Sequence, residues 1–261
     1  MLIKRKSIER QESQRTARKV VYAPINLSEE GGVRYLHFGT KWIQGAMRIR
    51  KPDWLELEYA QQMMVWMLFL EKPRHIAQLG LGTGALTKFC YRHFPDAQVT
   101  AIELNPTVIG VCYSMFKLPP NDDRLQVLEM DAMEFVSDSA HHGTIDVLQV
   151  DLYDASASGP VLDSAEFYQA CAACMTPQGI MTVNLFGDHP SYDKNLKAMR
   201  FAFDRVLCLP EVNAGNVVAI AFRQAGRLNF KALDERAVVI ADMTGLPAGS
   251  WVNGLKLTQP G

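Results

Sequence analysis

The chain has little of what would place it in a membrane, a disulfide scaffold or a metal centre. Its longest unbroken apolar run, Met63 to Leu70, is eight residues, far short of the roughly 20 needed to span a bilayer. No charged-then-apolar leader opens the sequence, so no secretory signal is expected. Cysteine is scarce. Five among 261 residues, odd in number and widely spread, argue against a disulfide framework and for a reducing cytoplasm. The six histidines fall without ligand spacing, and His141-His142 reads as an exposed loop pair. Cys171-x-x-Cys174 sits in a predicted helix among alanines with no second CxxC, so it reads as packing rather than zinc or redox chemistry. Neither a Gly-x-Ser-x-Gly elbow nor a P-loop lysine is present. No metal is expected.

What remains is an ordinary globular composition, 48% hydrophobic and 21% charged, long enough to bury a sizeable core as one large domain with an appendage. The net charge of −1 is unevenly placed: residues 1–20 carry +5 and the remainder −6. An acidic body does not suit a nucleic-acid surface and better suits a cationic small molecule. The basic start (Lys4, Arg5, Lys6, Arg10, Arg15, Arg18, Lys19) reads as a solvated terminus.

The chain divides near Lys72-Pro73. Residues 1–72 are expected to form a small β domain, with strands over Lys19–Ile25, Val33–Phe38 and Lys41–Arg48 broken by Glu29-Glu30-Gly31-Gly32 and Gly39, then a connecting helix over Leu55–Leu70 that is apolar on nearly every face from Met63 onward. Residues 73–230 alternate strand and helix. The predicted strands are Ile76–Leu79, Gln98–Leu104, Leu125–Met130, Asp146–Leu152 and Gly179–Leu185. Between and after them lie helices over Ala85–Phe94, Thr107–Phe116, Met133–Val136, Ser164–Met175 and Asp193–Phe203. Such alternation specifies an α/β fold with a mostly parallel sheet covered on both faces. Arg205–Leu209 and Asn216–Arg223 have no helix between them and are expected to form an antiparallel edge hairpin. Residues 231–261 form a C-terminal extension, with a closing helix over Leu233–Met243 and an uninformative end.

In parallel sheets ligands bind beyond the carboxyl ends of the strands, so the polar groups following each strand are the candidates. After the first comes Gly80-Leu81-Gly82-Thr83-Gly84-Ala85, whose glycines let a ligand approach the backbone beside a helix N-terminus. After the second comes Glu103, 19 residues beyond Gly84, a carboxylate placed to accept both hydroxyls of a ribose. After the third, Asp131-Ala132 offers an acceptor for an adenine amine or a helix cap; the two roles are compatible. After the fourth, Asp151 and Asp154 bracket Leu152-Tyr153, and paired carboxylates can bind a cation and take a proton from an amine. The glycine loop also satisfies Gly-x-Gly-x-x-Gly/Ala, so these residues alone do not separate a nicotinamide dinucleotide from a sulfonium nucleoside.

The series resembles the polyamine aminopropyltransferases, the spermidine/spermine synthase family, over about residues 20–225. The resemblance rests on Trp42-Ile43-Gln44-Gly45, the Gly80–Gly84 loop, Glu103, Asp131-Ala132 and Val150-Asp151-Leu152-Tyr153-Asp154. Gly159-Pro160, Glu166-Phe167-Tyr168 and Met175 to Ile180 extend it. It implies a methyltransferase-like Rossmann fold, with a seven-stranded sheet, behind the N-terminal β domain. It implies transfer of an aminopropyl group from decarboxylated S-adenosylmethionine to a diamine such as putrescine, leaving methylthioadenosine. By the same resemblance Glu103 holds ribose and Asp131 adenine, with Gly80, Gly82, Gly84 and Ala132 around the nucleoside. Asp151 assists amine deprotonation, Asp154 binds amine, Gln44 lies near the substrates, and Tyr59 matches a catalytic-site tyrosine. The family often forms homodimers, and the N-terminal strands offer edges for pairing.

Three departures stand out. Thr83 occupies the place of a loop aspartate that pairs with the donor's ammonium, so an argument for the decarboxylated donor is lost and intact S-adenosylmethionine becomes admissible. Asn184 replaces a glutamine. Val212-Asn213-Ala214-Gly215-Asn216 replaces a tyrosine-bearing stretch. Three readings follow: an aminopropyltransferase, an S-adenosylmethionine-dependent methyltransferase, or a nucleoside-binding paralogue without catalysis. A nicotinamide-dependent dehydrogenase is admitted by the glycine loop but not suggested by the paired aspartates.

Overall fold

A computed structural model describes residues 22–153, 162–212 and 215–258. The N-terminal part is an antiparallel sheet of three strands in the order β1-β2-β3, with β1 at Ile25–Glu30, β2 at Val33–Phe38 and β3 at Gly45–Arg48. β2 was legible residue for residue. β1 lies later than expected because Glu29 and Glu30 pair with Arg34 and Val33, so only Gly31-Gly32 make the turn. β3 begins only at Gly45, which leaves Lys41 to Gln44 as a loop.

The continuous helix expected over Leu55–Leu70 is not formed. A five-residue helix, α1 (Glu58–Gln62), is followed by a separate 3-10 turn over Val65–Leu68. The break has a tertiary cause. The Met63 carbonyl accepts bonds from Gln149 Nε2 at 3.2 Å and Thr182 Oγ1 at 3.1 Å, both reaching from the large sheet. The burial expected of this segment does hold: Met63 through Met67 are completely buried.

The main body alternates as predicted: β4 (His75–Leu79), α2 (Ala85–His93), β5 (Gln98–Glu103), α3 (Pro106–Met115), β6 (Leu125–Glu129), α4 (Ala132–Ser137), β7 (Ile145–Val150), α5 (Ala165–Cys174), β8 (Met175–Phe186), α6 (Tyr192–Ala202), β9 (Arg205–Cys208) and β10 (Asn216–Phe222). The seven strands are ordered β6-β5-β4-β7-β8-β10-β9. The first five run parallel, and β10 is antiparallel to both β8 and β9. β8 starts four residues before the expected Gly179: Met175 pairs with Ile145, and the ladder resumes at Ile180 opposite Val147 after a bulge.

One sheet face packs on α2, α3 and the Val65–Leu68 turn. The other packs on α4, α5 and α6, where Cys171 and Cys174 are fully buried. Two C-terminal helices, α7 (Phe230–Thr244) and α8 (Ala248–Leu257), cover the first face. α8 was unread because Gly249 and Gly254 argue against a helix; burial of Trp251, Val252 and Leu255 outweighs that local preference.

A buried polar layer runs through the middle strands. Gln78 Nε2 donates to Gln149 Oε1 at 2.9 Å, and Thr87 Oγ1 donates to Gln78 Oε1 at 2.6 Å. Gln149→Leu would leave the Gln78 amide only the weak Cys90 thiol as acceptor and the Met63 carbonyl with one donor fewer. An unsatisfied buried group costs about 1–3 kcal/mol, so urea unfolding of this variant should show a loss of stability in that range.

Candidate active site

Each parallel strand delivers its last residue to the same edge of the sheet, so the segments following β4, β5, β6 and β7 converge there. At that edge lies a cavity of about 630 Å³, lined by Gln44, Tyr59, Gly80, Gly82, Glu103, Asp131, Ala132 and Asp151. These residues come from both parts of the chain. The 39–44 loop and α1 form one wall and the strand tips the other.

Gly80 sits where no other residue fits. Its φ is +94°, and a Cβ there would lie 2.2 Å from the Asp151 carbonyl oxygen. The close approach holds the turn after β4 against the start of the loop after β7, and Asp151 N donates to Leu79 O at 2.9 Å from the same junction.

Glu103 is anchored through both oxygens. Oε2 accepts from Leu81 N at 3.1 Å and Oε1 from Asn105 N at 2.8 Å. Burial raises its pKa, and those backbone bonds oppose the rise. Asp131 caps α4, with Oδ1 accepting from Met133 N at 2.7 Å and Glu134 N at 3.2 Å. It lines the cavity as well, so capping and cavity position coexist.

Asp151 is the centre of a polar chain. Oδ1 accepts from Asn184 Nδ2 at 3.0 Å and Oδ2 from the Tyr59 hydroxyl at 3.3 Å. Asn184 Oδ1 in turn accepts from Asn216 Nδ2 at 3.0 Å. The Tyr153 hydroxyl donates to the Asn184 backbone carbonyl at 3.2 Å. Burial pushes the Asp151 carboxyl above its ordinary pKa, and the bonds from Asn184 and Tyr59 pull it back. Burial, helped by the charge of Asp151, keeps the Tyr59 phenol protonated far above its usual range. The arrangement is a part-buried acid fixed by neutral donors and lining a cavity.

Two predicted residues are not on the main cavity wall. Gly84 has φ +64° and starts α2. Thr83 is buried at 2% exposure, and its hydroxyl donates to the Ala46 carbonyl at 3.3 Å. Gly45 makes room for it, since a Cβ there would come within 2.7 Å of Thr83 Cγ2. The Thr83 side chain therefore faces β3. Asp154 lies outside the described residues, as do Gly159-Pro160, Asn213-Ala214 and the basic start.

Sequence reasoning attached no site role to Tyr153, Phe186, Asn216 or Tyr22, all of which line the cavity. Asn216 opens β10. Because that strand is antiparallel, its first residue lies at the edge where the parallel strands end, and a search confined to residues following strands passes over it. Among the described residues no group of three or more His, Cys, Asp or Glu side chains is placed to hold a metal ion. No described helix is long and apolar enough to cross a membrane.

Residues 56–202 match the family model of the spermine/spermidine synthase domain. A polyamine aminopropyltransferase of Chromobacterium violaceum is 34% identical over 237 residues, 90% of each chain. The crystal structure of a probable spermidine synthase from Corynebacterium glutamicum superposes with a TM-score of 0.71 at 18% identity, covering 88% of this chain and 91% of that one. The human methyltransferase-like protein 13, in complex with SAH, gives a TM-score of 0.60 at 22% identity, over 78% of this chain and 94% of that one; at these identities both likenesses speak to the fold.

Gly80→Ala should displace the loop after β7 while the sheet persists. Calorimetry with methylthioadenosine is expected to show affinity reduced by roughly tenfold or more, the scale set by about 1–3 kcal/mol of strain at such a site, with an unchanged far-ultraviolet circular dichroism spectrum.

Proposed function

Since this chain belongs to the spermine/spermidine synthase family, we propose that it transfers the aminopropyl group of decarboxylated S-adenosylmethionine to a small diamine of the putrescine class. The observation that carries the reading is the part-buried Asp151 carboxylate, held by Tyr59 and Asn184 in a cavity it lines together with Glu103 and Asp131.

Each group has a task. Glu103, fixed by backbone N–H donors, accepts the ribose hydroxyls. Asp131 accepts from the adenine amine while capping α4. Gly80 and Gly82 bring backbone close to the nucleoside, and Gln44 and Ala132 close its sides. These contacts set the sulfonium in the middle of the cavity, with Tyr59 and Asp151 facing the adjoining carbon. Asp154 is assigned to the amine by family resemblance alone.

The acceptor arrives as an ammonium. With a pKa near 10.4, on the order of one amine in a thousand is neutral at pH 7, and freeing its lone pair costs roughly 4–5 kcal/mol. Asp151 attracts the cation into the site and then takes its proton. The amine nitrogen bonds to the carbon beside the sulfonium, and the carbon–sulfur bond breaks with its electron pair staying on sulfur. Methylthioadenosine leaves as a neutral thioether. Sulfonium is already an activated leaving group, so alignment of nucleophile, carbon and sulfur supplies much of the remaining acceleration. A cytoplasmic homodimer pairing through its N-terminal strands goes with this reading.

The direct test is incubation with the decarboxylated donor and a panel of diamines, with methylthioadenosine release as the readout; no release with any diamine overturns the proposal. Asp151→Asn should lower turnover by about 10²–10⁴-fold, the span of general-base contributions, with methylthioadenosine affinity retained. Asn184→Ala should shift the pH profile. Asp151 acts unprotonated, so activity falls as pH drops through its pKa. The Asn184 bond lowers that pKa, so its removal should move the acid limb of kcat to higher pH.

A further inference from the structure

We infer that Glu56 selects the donor by receiving the terminal ammonium of its three-carbon tail; the inference rests on the aminopropyl transfer proposed above. A side cleft of about 20 Å³ opens beside the main cavity, lined by Gln44, Tyr59, Gly82, Thr83, Asp151 and Glu56 among others. It shares Gln44, Tyr59, Gly80, Gly82 and Asp151 with the main cavity, so the two are neighbours across the glycine loop. Adenosine directed toward Glu103 and Asp131, with the reacting carbon at Asp151, leaves the tail to continue into this cleft.

Size and charge agree on what the cleft accepts. Space of that order holds a single water-sized group. An alkylammonium head has that size, whereas a carbon bearing both an ammonium and a carboxylate does not. The charged side chains lining the cleft are Glu56 and Asp151, both acidic. Thr83 adds no charge, and its hydroxyl is engaged by the Ala46 carbonyl. A carboxylate on the tail would meet Asp151 and Glu56, the latter shared with Arg48, and no cationic side chain in the cleft wall would receive it.

Glu56 is held from outside the cleft. Arg48 Nε donates to Glu56 Oε2 at 2.9 Å and Arg48 Nη2 to Oε1 at 3.1 Å. The Arg48 side chain is 50% exposed against 18% for Glu56, and Arg48 is not part of the cleft lining. The pair leaves its basic member toward solvent, while its acidic member, the less exposed of the two, belongs to the cleft wall. Selection for the decarboxylated donor, which Thr83 does not supply, thus comes from a residue ahead of the large sheet.

Calorimetry on the full chain with decarboxylated S-adenosylmethionine, intact S-adenosylmethionine and tail-less methylthioadenosine tests this. Glu56→Gln should weaken the decarboxylated donor by roughly tenfold or more, the scale of one charge-assisted hydrogen bond, and narrow its advantage over the intact form. Methylthioadenosine should bind as before. Arg48→Met removes the ion pair but keeps the charge of Glu56, so it should preserve or widen the preference. If both variants weaken all three ligands alike, the pair is only structural and the inference fails. It fails equally if Glu56→Gln leaves the preference untouched. Failure of the wild-type chain to release methylthioadenosine with any diamine, while the binding preference follows Glu56, would instead overturn the proposed reaction.

Discussion

A carboxylate taken out of water must be compensated by fixed donors or lose its charge, and the architecture of this site follows from meeting that demand at Asp151. The compensation comes from three separate elements: the hydroxyl of Tyr59 on α1, the amide of Asn184 on β8 and, behind it, the amide of Asn216 on β10. All three donors are neutral. A lysine or arginine in their place would hold the charge more firmly but would also repel an incoming ammonium and depress the pKa of the acid. Amides and a phenol satisfy both oxygens while leaving the net charge of the cluster negative. That combination suits the role proposed for Asp151, attracting a cation and then accepting its proton.

Tyr59 stands on α1, which is short. A helix running unbroken from Leu55 to Leu70 would use the Met63 carbonyl within its own ladder. Instead that carbonyl is taken by Gln149 from β7 and Thr182 from β8. Gln149 is in turn joined to Gln78 on β4 and Gln78 to Thr87 on α2. Strands buried on both faces are ordinarily apolar; here glutamines and threonine interrupt them because a tertiary partner needs donors. The same strands that end at the catalytic edge therefore also fix, from below, the segment that closes it. The polar layer and the site are two ends of one device, and the stability of the core is coupled to the geometry of the acid.

The parts of this arrangement that were legible in sequence are those governed by local pattern. Alternation of apolar runs with helices gave the parallel sheet, and the carboxyl-end rule led to Glu103, Asp131 and Asp151 because each follows a parallel strand. Where long-range contacts decide, the pattern is silent. The break at Met63 depends on Gln149 and Thr182, which lie more than 80 residues away, and an apolar stretch carries no mark of it. Asn216 was passed over because the rule assumes strand direction. The facing of Thr83 is set by the space left at Gly45, which no local pattern records. α8 was missed because two glycines count against a helix in isolation, whereas a buried tryptophan counts for it in the folded chain.

The placement of Thr83 clarifies how such a site can change. A motif aligns positions, and a position is a place on the backbone rather than a direction in space. With the Thr83 side chain admitted beneath β3 by the glycine at 45, the loop presents no charged group, and any charge needed there must come from another element. Glu56 is available because it sits three residues before Tyr59, at the point where the chain enters α1, and so inherits the placement that the Met63 anchor imposes on that whole segment. On the proposed reading, reaction and donor selection depend on one short piece of chain, tied to the large sheet at the Met63 carbonyl and to β3 through Arg48. A change that loosened the Met63 carbonyl would disturb both Tyr59 and Glu56 while leaving Glu103 and Asp131, which ride on strand tips, in place. The residues proposed for nucleoside binding are in this sense mechanically separate from those proposed for tail recognition and proton transfer, which gives the fold a route by which the chemistry could diverge while the strand-tip residues are kept.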